Sequence, residues 1–301
     1  MRFDPPYESM ERFTSPARPA RSLFIVAAVL ALVWIGFWGP PWLLLGLGVN
    51  RDWLAAFAMG ATPAMLFLSL SSFALPIAAL AYGLRRFHKR GLASLLGRHP
   101  DAPDPFLKTL RNTGLLLVVL TLSGGLATEF IVEIRPLPVW LLILPFALLA
   151  TLIQVSAEEL LFRGYLQQQL GALSARPIVW MVVPSILFAL PHALNTVTPA
   201  DALFYVGWTF FFGIAAADLT ARSGTLGPAL AMHLSNNLIQ FVLFGYKDGP
   251  MSGFALILYE WDGAPLTWMQ PDYPLASAIF LVISFLTLFL LWLSARLAIR
   301  R

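Results

Sequence analysis

The stretch TLIQVSAEELLFRGYL (residues 151–166) places two adjacent glutamates and an arginine in an otherwise apolar segment. On a helix Glu159 and Arg163 are four residues apart and face each other, with the acid on the favoured N-terminal side. Glu158 points about 100° away from Glu159, so it is the carboxyl group without a local partner. Charges at the centre of a membrane helix cost about 2.5–3.5 kcal/mol each. The three residues therefore indicate a function, unless they lie at the inner membrane edge and reach water there.

The composition predicts a membrane protein. Of the 301 residues, 58% are hydrophobic and 12% are charged, and the mean hydropathy is +0.73. Charged residues make up about 25% of a soluble domain, so a water-soluble fold is excluded. The chain has no cysteine, which excludes disulfides, thiolate metal sites and a cysteine nucleophile.

Apolar runs of about 17–25 residues, the length that crosses a bilayer, predict an all-α polytopic bundle of about eight transmembrane helices. The predicted spans are residues 22–48, 54–84, 113–133, 138–160, 177–195, 201–220, 225–245 and 274–296. Residues 1–21 are polar and show no pattern of a cleaved signal peptide, and they are predicted to be an N-terminal tail on the cytoplasmic side. Residues 22–301 then form one membrane domain.

The basic residues predict the orientation of the bundle. An even number of spans puts both termini on one side of the membrane. All but four of the 20 Lys and Arg residues fall on that side or in its loops, the exceptions being Arg51, Arg135, Lys247 and Arg163. The positive-inside rule therefore predicts cytoplasmic N and C termini in the cell inner (plasma) membrane. The basic loop 85–111 is expected to contact anionic membrane lipid rather than nucleic acid.

Two further spans carry polar groups. His192 lies in the fifth span, in SILFALPHALN. In the seventh span, Asn236, Asn237 and Gln240 follow His233 by three, four and seven residues, so the four residues share one helix face. In lipid such a face must lie against the bundle interior or a water-filled cavity. The fourth span thus supplies a glutamate, the fifth a histidine, and the seventh a histidine and an asparagine. This combination of side chains suits the activation of water.

Hydrolysis of an amide requires a base, an oxyanion stabiliser and a proton donor for the leaving amine. Glu158 is predicted to be the base, and His192 to share the water and carry the proton. His233 and Asn237, one helical turn apart, can direct donors at the oxyanion. This scheme needs neither a nucleophilic side chain nor a cofactor.

Zinc is the competing interpretation of the same residues. Two histidines and a glutamate are a common ligand set of zinc peptidases, and here they would be Glu158, His192 and His233. However, the sequence has no HExxH motif, and Asn237 would be an unusual ligand. The metal-free scheme is therefore favoured, while zinc stays possible.

A straight fourth span that ends near residue 160 creates a conflict of depth. It puts Glu158 about 30 Å below the outer face, whereas His192 lies about 22 Å above the inner end of the fifth span. The two side chains can meet only if a helix tilts, starts deeper or breaks, and Pro145, Pro184 and Pro191 are candidate break points. We expect a site that opens toward the cytoplasm.

The motifs resemble those of a known family. EELLFR matches an EExxxR motif, FALPH an FxxxH motif and HLSNN an HxxxN motif, in that order along the chain. All three are typical of the CPBP family of intramembrane peptidases, which includes Rce1-type CAAX prenyl proteases and bacteriocin-processing or immunity (Abi) relatives. The resemblance covers about residues 85–245, with a catalytic core at about 113–245.

The resemblance implies a role for each motif residue. Glu158 and His192 are similar to the residues that activate water in the family, and His233 with Asn237 to the pair on the oxyanion side. Glu159 and Arg163 are similar to residues that support the site.

The expected function is that of an intramembrane endopeptidase. It would cleave a peptide bond of a membrane-associated or lipidated protein or peptide with a glutamate-activated water. Two alternatives stay open: a non-proteolytic scaffold or bacteriocin-immunity and regulatory protein of the same family, and a transporter or proton relay. The lack of paired half-chain repeats disfavours transport. The sequence sets neither the identity of the substrate nor the oligomeric state.

Overall fold

Apolar helices make up most of the computed structural model, which describes residues 2–20, 22–97, 105–123, 128–195, 198–260 and 274–300. Among these residues, six helices are long and apolar enough to cross a membrane by length and composition. They are α2 (Leu23–Gly46), α4 (Pro63–His88), α5 (Pro105–Ser123), α6 (Leu137–Leu173), α8 (Pro199–Ser223) and α10 (Pro274–Ile299), and α1 (Met10–Thr14) precedes them. The predicted all-α polytopic bundle is confirmed.

Two of the predicted spans form shorter helices inside the bundle. The fifth is α7 (Ile178–Leu194), which packs on α8. The seventh is α9 (Gly227–Leu238), which continues through a wider turn at Ile239–Leu243. Helix α9 packs against α5, α6 and α8, so it lies in the centre of the protein.

Two predicted boundaries are wrong. The second span does not begin at residue 54, because α3 (Arg51–Met59) ends at Gly60, whose φ of 63° is left-handed and stops the helix. The third span does not run to residue 133, because the chain from Ile131 forms a β-strand. In both places the backbone changes direction within one apolar run, which hydropathy alone does not indicate.

Helix α6 does not end near residue 160 but runs on to Leu173. Glu158 therefore lies about 15 residues before the end of α6, and His192 lies about 14 residues after the start of α7 at Ile178. At about 1.5 Å per residue, both are about 21–23 Å from the α6–α7 connection. The conflict of depth disappears, because the predicted end of the fourth span was wrong.

A small sheet lies at one end of the bundle. Strand β1 (Ile131–Ile134) pairs antiparallel with β3 (Ile257–Tyr259), which pairs in parallel with β2 (Phe244–Tyr246). The Nε1 of Trp140 in α6 donates to the carbonyl of Val242 over 3.0 Å. The sheet thus ties the first turns of α6 to the end of α9 and fixes how these two helices face each other.

The N-terminal segment packs against the opposite end. Tyr7 Oη donates to Asp218 Oδ1 in α8 over 2.8 Å, and Trp292 Nε1 in α10 donates to Asp218 Oδ2 over 3.0 Å. Phe13 is buried, and burial and the charge of Asp218 raise the pKa of Tyr7 to about 12. Residues 2–20 are therefore a folded cap rather than a free tail. The N-terminal segment and α10 meet on one side of the bundle. The cytoplasmic location of that side stays a prediction.

The predicted lipid-facing loop is only partly described, since residues 98–104 of the range 85–111 lie outside the described residues. Arg85 and Arg86 are exposed, in keeping with a surface role. Arg90 instead turns inward and donates to Gln168 of α6, and burial lowers its pKa to about 10. Part of this basic loop therefore serves the fold.

Candidate active site

Glu159 joins α6 to α9. Its Oε1 accepts from Arg163 Nη1 over 2.9 Å and from His233 Nδ1 over 2.8 Å. Glu159 is fully buried and Arg163 is 1% exposed. The predicted pair between Glu159 and Arg163 is thus present. His233 is a further partner, and spacing along one helix could not show it.

The helix widens directly after Glu159. Residues Leu160–Leu166 form a π-helical turn, a feature that occurs often at functional sites because it reorients side chains. Cζ of Arg163 lies 4.1 Å from the centroid of the Phe188 ring in α7, close enough for a cation–π interaction. On its other side Arg163 meets Gly213 of α8, where an added Cβ would lie 3.2 Å from Nη2. Three helices therefore enclose the guanidinium.

Glu158 has a different environment from its neighbour. Its Oε2 lies 3.6 Å from Nε2 of His233, a distance beyond that of a direct hydrogen bond. The Glu158 side chain is 13% exposed, whereas that of Glu159 is fully buried. Glu159 is thus buried and bound by Arg163 and His233, whereas Glu158 remains accessible beside Nε2 of His233.

His192 is oriented by its own helix. Its Nδ1 lies 3.0 Å from the carbonyl oxygen of Phe188. Because a carbonyl can only accept, Nδ1 carries the proton and Nε2 is left for chemistry. His192 interacts electrostatically with Glu158 and His233. The Phe188 ring contacts both imidazoles, with centroid distances of 5.1 Å to His192 and 6.0 Å to His233.

Asn237 faces α6 through a residue that the motifs do not include. Its Nδ2 donates to Oε1 of Gln154 over 2.9 Å, and its Oδ1 accepts from Asn236 Nδ2 over 3.1 Å. His233 and Asn237 are buried as predicted. Gln240 was predicted on the same interior face but is exposed, because α9 changes to the wider turn after Leu238.

The structure brings all six predicted site residues together, and three further residues complete their surroundings. Gln154 contacts Asn237, and Phe188 contacts Arg163. The ring centroids of Phe212 and His233 are 5.0 Å apart. Gln154 precedes Glu158 by four residues, so it shares a helix face with it. That spacing is the signal by which the sequence could have indicated Gln154.

The ligand set considered for zinc does not form in this arrangement. Among the residues that the structure describes, no group of three or more His, Asp or Glu side chains is placed to hold a metal ion. Glu158, His192 and His233 are all among the described residues. We therefore derive no reaction step through a metal.

The family match covers the helices that carry this site. Residues 139–239 match the family model described as type II CAAX prenyl endopeptidase, Rce1-like. This segment of the chain is therefore similar to the Rce1-like family. This Rce1-like segment runs from the first turn of α6 into the wide turn after α9, so it contains every motif residue. The cap formed by residues 2–20 and the helices α2 and α10 lie outside it.

A comparison with curated proteins finds a similar segment in one bacterial protein. The uncharacterized protein YyaK of Bacillus subtilis (strain 168) is 29% identical over 128 residues, which is 42% of either chain. The chain therefore matches less than half of the length of this relative. No solved structure matches the chain. The Rce1-like family is one of endopeptidases, which supports peptidase chemistry at the level of the family.

Proposed function

We propose that this protein is an intramembrane endopeptidase in which Glu158 activates a water molecule. The observation that carries the proposal is the contrast between the two adjacent glutamates. Glu159 is buried and bound by Arg163 and His233, whereas Glu158 is accessible and lies beside Nε2 of His233. A base must reach the proton that it removes, and of the two only Glu158 can.

Charge balance sets the resting state of the site. Because Glu159 can only accept, Nδ1 of His233 donates to it, and Nε2 then faces Glu158. A lone pair on Nε2 opposite a carboxylate would be unfavourable, so one proton belongs to the pair of Glu158 and His233. With that proton, the two glutamates, Arg163 and His233 sum to zero charge. A neutral cluster has the lowest cost of burial in an apolar bundle.

The reaction begins from the form in which His233 holds this proton. Glu158 takes a proton from water, and the hydroxide oxygen bonds to the carbonyl carbon of the substrate. The developing oxyanion accepts from Nε2–H of His233 and from an amide N–H of Asn237, which stabilises it. When the C–N bond breaks, the amine receives the proton that Glu158 took, carried through the free Nε2 of His192. One water is consumed. Its hydroxyl group becomes part of the new carboxyl group, and its other proton is on the released amine.

The proposed substrate is a membrane-associated or lipidated protein or peptide. Helices α6, α7 and α8 expose large apolar side chains such as Leu149, Ile186 and Phe211, which suits a substrate that approaches within the membrane. The description of the family names a prenylated substrate, which makes a lipidated cysteine near the scissile bond the first chemistry to test.

The test compares the termini of membrane proteins in cells that carry the wild type, Glu158→Gln or Glu133→Gln. Glu133 is the control, since it is a partly exposed glutamate in β1, outside the three motifs, and pairs with Lys247 at 3.4 Å. Termini that disappear with Glu158→Gln but persist with Glu133→Gln would support the proposal. If the three strains yield the same termini while the variants are folded and equally abundant, the proposed proteolysis by Glu158 is wrong and the scaffold alternative is favoured.

A second assay tests the lipid. The protein in proteoliposomes is given a quenched fluorescent peptide that ends in a farnesylated cysteine and three apolar residues, and the same peptide without the farnesyl group. Faster cleavage of the farnesylated peptide supports recognition of the prenyl chain. Equal rates would show that the peptide bond alone is recognised.

A further inference from the structure

Helices α6 and α9 face each other through two pairs of polar side chains. Gln154 and Glu158 are four residues apart on α6, and Asn237 and His233 are four residues apart on α9. Gln154 contacts Asn237 over 2.9 Å, and Glu158 lies 3.6 Å from His233. The two pairs are therefore about one helical turn apart, or about 6 Å along the helix axes.

This spacing suits the groups of a hydrolysis reaction. The base and the oxyanion donor act on different atoms, the water and the carbonyl oxygen, so they must stand apart, each within about 2.7–3.0 Å of its own atom. The pair with Glu158 supplies the base at one end. The pair with Asn237 supplies the donor at the other end.

The orientation of the Asn237 amide is fixed at both of its polar atoms. The Oε1 of Gln154 accepts from Nδ2, and the Nδ2 of Asn236 donates to Oδ1. If the amide rotated by half a turn, Asn237 Oδ1 would face the acceptor Gln154 Oε1, and an oxyanion could meet an oxygen instead of a donor. Gln154 is 6% exposed, so water competes little for its carbonyl oxygen.

We propose that Gln154 is a positioning residue that holds the second N–H of Asn237 toward the oxyanion. The inference rests on the proposed function, since it assigns Gln154 a part in the same reaction. Gln154 acts through Asn237 and need not touch the substrate. Its removal should therefore slow the chemical step and leave substrate binding almost unchanged.

The test is a double-mutant cycle with Gln154→Leu, Asn237→Ala and the two combined. The rates are measured with the farnesylated quenched peptide in proteoliposomes and, independently of that probe, as the amount of Glu158-dependent termini in cells. Gln154→Leu should lower kcat about tenfold to a hundredfold, somewhat less than the loss of a direct oxyanion donor. KM should stay within about twofold. In the Asn237→Ala background Gln154→Leu should have no further effect.

Gln168→Leu is the matched control. Gln168 is a fully buried glutamine on the same helix, and its Nε2 donates to backbone carbonyls of Phe13 and Ser94. It should affect stability without the selective loss of kcat. An effect of Gln154→Leu that adds to that of Asn237→Ala, or that acts mainly on KM, would overturn the inference.

Failure of the inference can be told from failure of the proposed function. If the wild type yields no termini beyond those seen with Glu158→Gln and does not cleave the peptide, the proposed function is wrong, and the role of Gln154 falls with it. If the wild type is active and Gln154→Leu keeps its full kcat, only the role of Gln154 is wrong.

Discussion

His233 donates from Nδ1 to Oε1 of Glu159 over 2.8 Å, although the two residues are 74 positions apart in the chain. This hydrogen bond turns the other ring nitrogen of His233 toward Glu158, at 3.6 Å. The adjacent glutamates therefore have different tasks. Glu159 orients the imidazole and neutralises Arg163, while Glu158 is left accessible for the reaction.

Substitution of each glutamate by glutamine should separate these tasks. Glu158→Gln should lower the rate of cleavage by about 10²–10⁴-fold, the usual contribution of a general base, with little change in stability. Glu159→Gln should lower the free energy of unfolding by roughly 3–5 kcal/mol, because it leaves the buried Arg163 without its counter-charge. Thermal unfolding in detergent measures the stability of both variants. Equal destabilisation by the two substitutions would contradict the division of roles.

Gly213 should be intolerant of even a methyl group. A Cβ at this position would lie 2.9 Å from Ser185 Cβ and 3.2 Å from Arg163 Nη2. Gly213→Ala should therefore cost about 1–3 kcal/mol through overpacking and reduce cleavage by displacing Arg163. Gly207 lies in the same helix with nothing within 4 Å of an added Cβ, so Gly207→Ala is the control. Similar unfolding temperatures and rates for both variants would show that Arg163 can move freely.

Tyr7 should stabilise the fold in a pH-dependent way. Its hydroxyl donates to Asp218 over 2.8 Å, and Tyr7→Phe should cost about 1 kcal/mol at neutral pH. Burial and the charge of Asp218 raise the pKa of Tyr7 from 10.0 to about 12. The contribution linked to this shift is present below pH 10 and is lost as the pH rises through the folded-state pKa.

The measurement is the unfolding temperature of the wild type and of Tyr7→Phe in detergent between neutral pH and pH 12. The wild type should lose stability more steeply than Tyr7→Phe above pH 10, so the two curves should converge. Tyr82→Phe, at an exposed tyrosine, should follow the wild type. Coincident curves for the wild type and Tyr7→Phe would show that the bond to Asp218 does not stabilise the fold, and parallel but separated curves would contradict the raised pKa of Tyr7.

The sequence predicted what depends on local spacing. Glu159 and Arg163 are neighbours on one helix, so their contact follows from helix geometry alone. The contact of His233 with Glu159 and that of Asn237 with Gln154 depend on how α6 and α9 are packed. No pattern along either helix contains that information, although the polar face of α9 correctly indicated that His233 and Asn237 lie inside the bundle.

The predicted end of the fourth span shows where hydropathy fails. The apolar run predicted that the fourth span ends near residue 160, and Arg163 and three consecutive glutamines follow it in the sequence. In the structure these polar groups stay inside the protein, where Gln167 Nε2 donates to Ala217 O and Gln168 Nε2 to Phe13 O. Hydropathy measures the cost of transfer to lipid, and it cannot register a partner supplied by the N-terminal segment or by another helix.

The removal of metal ions should leave cleavage unchanged. The proposed reaction uses Glu158, His192, His233 and Asn237 without a metal, and the described His, Asp and Glu side chains form no ligand set of three. Purified protein is dialysed against a strong chelator, and its rate on the farnesylated peptide is compared with that of an untreated sample. Loss of activity that added Zn²⁺ restores would favour the alternative in which Glu158, His192 and His233 move together as ligands. Glu158→Gln, treated in parallel, gives the background rate against which both samples are judged.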